Sequence, residues 1–78
     1  MAAGGLPVVS GSRVVHALTR SGFVVDRIVG SHHVLVRLND PTRTVTVPVH
    51  GNRDLKPGTL RAIIRQAGFT VEEFREFL

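Results

Sequence analysis

Between Pro57 and Gly68 the apolar residues Leu60, Ile63, Ile64 and Ala67 recur at i, i+3, i+4 and i+7, the spacing of one helix face. Pro57 suits the first turn of such a helix and Gly68 ends it. Arg61 and Arg65 lie one turn apart and point elsewhere. A helix with a single apolar stripe must bury it against another element. A chain of 78 residues has room for one core, so the remaining segments have to cover this face. Thr70-Val71-Glu72-Glu73 then forms a capping box for a short last helix, with Phe69 and Phe74 spaced as its hydrophobic staple. Phe74, Phe77 and Leu78 are left to fold back on the core or to cover a partner.

Strands supply the covering layer. Phe23 to Val29 is rich in β-branched residues and breaks at Gly30-Ser31; a second strand runs from about His32 to Leu38. Asn39-Asp40-Pro41 is a turn signal, and Arg43 to Val49 gives a third strand with Val45, Val47 and Val49 on one face. Short connections favour an antiparallel meander. Upstream, Ser12 is placed to N-cap a helix reaching about Arg20, with Val14, Val15 and Leu18 on one side and Gly22 as its stop. The expected fold class is therefore α+β, a three-stranded antiparallel sheet packed on two helices in the order α-β-β-β-α, plus a short C-terminal helix. That layout resembles the double-stranded-RNA-binding domain, a likeness of fold that does not itself establish function. Residues 1–10, with small residues and a proline, read as a flexible N-terminal lead to a single domain over 11–78.

Ten Lys and Arg oppose six Asp and Glu, a formal net charge of +4, and nine of the ten bases are arginine. Glu72, Glu73 and Glu76 fall in the last seven residues, so the body of the chain is more basic than the total suggests. Such a surface attracts polyanions or an acidic partner, and the planar guanidinium fork suits phosphate. The chain has no cysteine, which excludes disulfides and thiolate metal sites and fits a reducing compartment. Its start lacks the basic region and apolar core of a signal peptide, and no apolar run approaches the ~18 residues of a membrane span. The expected location is the cytoplasm, with no membrane partner.

Of the four histidines, His16 lies within the first helix, whereas His32, His33 and His50 lie in or beside strands. Histidine, with an ordinary pKa of about 6.5, can give and take protons near neutrality. No serine has an evident orienting carboxylate, so acid–base chemistry on a substrate that carries its own nucleophile is the economical reading. RNA is such a substrate, because its 2′-hydroxyl can attack the adjacent phosphate. One histidine, with arginines to neutralise the phosphate, supplies a workable minimum. Alternation sets His32 with Val34, Val36 and Leu38, and His33 with Leu35 and Arg37, without deciding which face is covered. Metal ligation by His32, His33 and His50 with Asp54 is the competing chemistry. It is disfavoured because neighbours on a strand point apart and the usual zinc spacings are absent. No cofactor and no metal are expected.

Four segments carry a family resemblance: Ser21-Gly22-Phe23; Gly30-Ser31-His32-His33; Val45-Thr46-Val47-Pro48-Val49-His50; and the run from Asp54-Leu55-Lys56-Pro57-Gly58-Thr59-Leu60-Arg61 to Gly68. In this order and at these distances, over about residues 10–68, the chain resembles the HicA toxins of type II toxin–antitoxin systems. The resemblance implies ribosome-independent cleavage of mRNA by an endoribonuclease without a metal cofactor, and inhibition by a HicB-type antitoxin. It implies one catalytic histidine, matched by His32, with His33 as second choice and Gly30 and Ser31 forming the turn that presents it. Ser31, Arg37, Arg43, Arg53, Lys56 and Arg61 are the expected RNA contacts. Two features depart from the family pattern: the aliphatic run Val34-Leu35-Val36, and the extension Phe69–Leu78. The alternative function is a catalytically inactive module that binds RNA or an antitoxin.

Overall fold

Ser10 opens the first helix: its hydroxyl accepts from the Arg13 amide at 3.2 Å, and α1 spans Gly11–Arg20. The computed structural model describes residues 5–78. The cap lies two residues before the expected Ser12, and packing explains the shift. Gly11 sits against the end of the third strand, so close that a Cβ there would fall on the Pro48 carbonyl oxygen, with the Val49 Cα at 3.1 Å. From that contact α1 turns Gly11, Val14, Ala17 and Leu18 inward, while Val15 is only half-buried.

Three strands follow, β1 (Phe23–Val29), β2 (His32–Arg37) and β3 (Asp40–Pro48), in the antiparallel order β1-β2-β3. Val29 pairs with His32 across the two-residue turn Gly30-Ser31. Gly30 has φ 60° while Ser31 stays out of the left-handed region, a pattern that suits glycine in the first position of a tight hairpin turn. The third strand starts earlier than expected, because Asp40 already pairs with Arg37 and the chain reverses at Leu38-Asn39. Pro41 is tolerated because the register breaks between the Arg37–Asp40 and Val36–Thr44 pairs, leaving residues 41–43 without β2 partners, so its missing amide donor costs no ladder bond. Its buried residues are Val45 and Val47; Val49 lies beyond its end and is half-buried.

The second helix, α2 (Pro57–Ala67), has Pro57 in its first turn, Gly68 at φ 86° as a left-handed C-cap, and the full stripe Leu60, Ile63, Ile64 and Ala67 buried. That stripe meets Phe23, Leu35, Val45 and Val47 of the sheet and Val14, Ala17 and Leu18 of α1 in one core. Both halves of the predicted capping box form at α3 (Val71–Arg75), the Thr70 hydroxyl accepting from the Glu73 amide at 3.1 Å and Glu73 from the Thr70 amide at 2.8 Å. Phe74 is wholly buried, and Phe69 meets the Phe77 ring at 5.4 Å. Phe77 and Leu78 pack on the core from outside. Burying an aromatic of this size contributes about 1.5–3 kcal/mol.

The expected lead over 1–10 falls partly on residues 1–4, outside the described residues. Within it, Val9 is 4% exposed and joins the core, and its carbonyl accepts from the Leu55 amide at 2.9 Å. Gly11→Ala tests the α1–β3 contact. Alanine's helix preference would add up to ~1 kcal/mol of stability, but overpacking costs about 1–3 kcal/mol. We expect a lower midpoint in urea; an unchanged or higher midpoint would mean that the contact opens freely.

Candidate functional site

The Gly30-Ser31 turn delivers two adjacent histidines to opposite faces of the sheet. Leu35 is fully buried and pairs with Val45, while His33 pairs with Val47, so His33 lies on the face beneath the helices. It is half-buried, and its Nδ1 is sealed from solvent without a hydrogen-bond partner. His32 lies on the other face, exposed, between Val29 of β1 and Pro48 of β3. The Val49 amide donates to the Ser31 carbonyl at 2.7 Å, extending the β2–β3 ladder around the turn.

Beyond Pro48 the chain loops back before entering α2. The Arg53 amide donates to the His50 carbonyl at 3.0 Å, with Gly51 between them at φ 57°. Ser10 forms an isolated antiparallel bridge with Asp54, and Leu55 bonds to Val9, so the N-terminal segment braces this loop. Pro48, His50, Arg53, Asp54, Leu55, Lys56 and Thr59 line an open cleft of ≈ 330 Å³. Pro48 belongs both to this cleft and to the pair with His32, so the cleft lies at the same end of the sheet as the histidine, which is not among its lining residues.

The charge of the cleft is set by its wall. Lys56 occupies the N-cap of α2 without a side-chain cap bond, and the first turn carries no acidic residue. The positive end of the helix dipole therefore adds to Arg53 and Lys56, opposed only by Asp54 among the lining residues. An anion such as a phosphate is favoured here.

The other expected contacts lie elsewhere. Arg37 is at the far end of β2, five residues and about 17 Å from His32 along the strand. Its guanidinium lies over the Phe23 ring at 5.6 Å and the Phe69 ring at 5.9 Å. Arg43 donates to the Gln66 carbonyl at 2.8 Å and lies against Gly68, so it closes the C-terminal end of α2. Beside them the Asp40 carboxyl is held below its ordinary range, first by the Thr42 hydroxyl and further by the charges of Arg43 and Arg37. Arg61 is exposed on α2. The structure thus gathers Ser31, His32, Arg53 and Lys56 at one end of the sheet and engages Arg37 and Arg43 at the other. In the sequence His50 and Asp54 stand out for chemistry only as candidate metal ligands, Thr59 only as part of a family segment, and the bracing Val9 not at all. The apolar run Leu6-Pro7-Val8-Val9 was the available signal for the last.

A family model described as the HicA toxin of bacterial toxin–antitoxin systems matches residues 11–69. The chain belongs to the HicA toxin family. The match runs from the first residue of α1 to the residue after the α2 cap, so it takes in the whole sheet, His32 and the cleft, and leaves α3 outside. No curated protein matches the chain. Membership in a toxin–antitoxin family implies an antitoxin partner. Among the described residues no helix is long and apolar enough to cross a membrane.

The two groups of arginines respond differently to truncation. Arg37→Ala loses two cation–ring contacts and should cost about 0.5–2 kcal/mol in urea unfolding. Exposed Arg53→Ala should stay within about 0.5 kcal/mol of wild type. Equal losses would remove the distinction between a bracing and a displayed arginine.

Proposed function

We propose that this HicA-family chain is a metal-independent endoribonuclease that cleaves mRNA in the cytoplasm through His32 and is neutralised by a HicB-type antitoxin. The observation that carries the reading is the exposed His32 at the same end of the sheet as a cleft walled by Arg53, Lys56 and the N-terminus of α2. In a single-stranded segment laid across this end, His32 takes the proton from a ribose 2′-hydroxyl. The 2′-oxygen attacks the adjacent phosphorus to form a 2′,3′-cyclic phosphate, the bond to the 5′-oxygen breaks, and that oxygen takes a proton from water, while the proton held by His32 returns to solvent. Arg53 and Lys56 offset the charge that builds on the phosphate, an interaction stronger in the transition state than in the bound substrate. Ser31 holds the turn, and its half-buried position suits a supporting role. Arg61 is an outlying phosphate contact. Arg37 and Arg43, engaged at the opposite end, contribute to affinity only for RNA long enough to span the sheet. His33 remains the second choice, because one of its ring nitrogens is sealed.

Cleavage of an mRNA transcript by purified protein in EDTA tests this directly. Wild type should cut, and a folded His32→Ala variant should be slower by about 10²-fold or more. His33→Ala should keep its activity. The reverse pattern would move the chemistry to His33. No cleavage by a folded, antitoxin-free wild type would favour the binding module. A second check uses the salt dependence of RNA affinity: Arg53→Ala or Lys56→Ala should each reduce the log–log slope by about 0.7 for single-stranded RNA. An unchanged slope in both would place the phosphates elsewhere.

A further inference from the structure

Six of the seven β1 residues are exposed, only Phe23 being buried. β1 is an edge strand, and the helices leave it uncovered beyond Phe23. It carries four large exposed aliphatics, Val24 at 37%, Val25 at 39%, Ile28 at 58% and Val29 at 60%. An open apolar edge of this kind is a template for another strand. The opposite edge, β3, is blunted by Pro41 and Pro48.

The sequence Val24-Val25-Asp26-Arg27-Ile28-Val29 reads alike in both directions by residue type. Folded about its centre, Val24 opposes Val29, Val25 opposes Ile28, and Asp26 opposes Arg27. In a regular strand this register would fail, because each such pair would point to opposite faces. A bulge corrects it. Val25 pairs with Leu35 and Arg27 with Val34, so Asp26 is the extra residue. After the bulge Ile28 pairs with His33, on the same face as Val25, and Val29 with His32, on the same face as Val24. The Asp26 and Arg27 side chains come within 3.9 Å of one another while remaining 49% and 67% exposed, so the bulge has turned these sequence neighbours to the same side.

We propose that β1 is a self-association edge: two copies of this chain join antiparallel along β1, about a twofold axis between Asp26 and Arg27, into one six-stranded sheet. Each bulge brings the like-facing partners into phase. Two reciprocal Asp26–Arg27 pairs lie at the centre, flanked by the Val25–Ile28 and Val24–Val29 pairs. Toward an unrelated strand, a bulge bearing two charges is a guard; toward its own copy it is complementary, as an isologous interface requires. One strand pair is a small interface, so the dimer is weak, populated between roughly 10 µM and 1 mM.

Sedimentation equilibrium of the full chain across that range tests the proposal. Wild type should show a monomer–dimer equilibrium. Asp26→Arg or Arg27→Asp alone sets like charges across the axis and should weaken the dimer at least about tenfold. The double exchange, Asp26→Arg with Arg27→Asp, restores opposite charges and should recover the wild-type constant. Circular dichroism checks that each variant is folded. Independently of any variant, hydrogen exchange of the β1 amides should slow as wild-type concentration rises. A wild type that stays monomeric, a dimer indifferent to the single exchanges, or a double exchange that fails to recover would each overturn the proposal. So would β1 protection that appears only with an antitoxin, which would assign the edge to that partner.

Discussion

The exposed chemistry of this molecule depends on which face of β2 goes beneath the helices. Leu35 is sealed against Val45 and the α2 stripe, and with it the whole odd-numbered face of the strand turns inward. Among the described residues no polar or charged side chain is wholly buried, and the one polar atom this face seals without a partner is the Nδ1 of His33. The consequence for the histidines is rigid, since a one-residue slip would exchange them. Val45 and Val47 on β3 hold the same register from the other side, so the choice is fixed by several aliphatic side chains at once.

The end of the sheet that carries His32 is built from distant pieces of chain. The Gly30-Ser31 turn, the close of β3, the 49–56 loop and the first turn of α2 converge there, and the segment around Val9 and Ser10 ties them to α1. Gly11 lets α1 approach the Pro48 carbonyl closely, which sets that helix against the same end. The cleft follows from this convergence, and its positive character follows from an α2 N-terminus with a lysine, not an acid, at its cap.

Much of the scaffold was legible in the sequence, because periodicity and capping chemistry act locally. The α2 stripe, its Pro and Gly ends, the Thr70–Glu73 box and the first strand appear as read. Helix and strand starts were less legible where tertiary contact overrides local preference. Ser10 displaces Ser12 because Gly11 must meet Pro48, and β3 begins at Asp40 because the hairpin reverses before the proline. At the site, alternation separated His32 from His33 but could not say which was covered; that needed Leu35 to be seen inside. The basic residues were least legible. Nothing local distinguishes Arg37, stacked on two rings, or Arg43, closing a helix, from Arg53 on the cleft.

The segment that braces the 49–56 loop lies outside the stretch that defines the family. Residues 11–69 contain all four segments that carry the family resemblance, yet the cap of α1 is Ser10, the acceptor for Leu55 is Val9, and the ring that plugs the core beside α2 is Phe74. A fragment trimmed to the family boundaries would keep the vocabulary and lose the grammar. It would present His32 on a sheet whose first helix is uncapped, whose loop is untied and whose core is open at one corner.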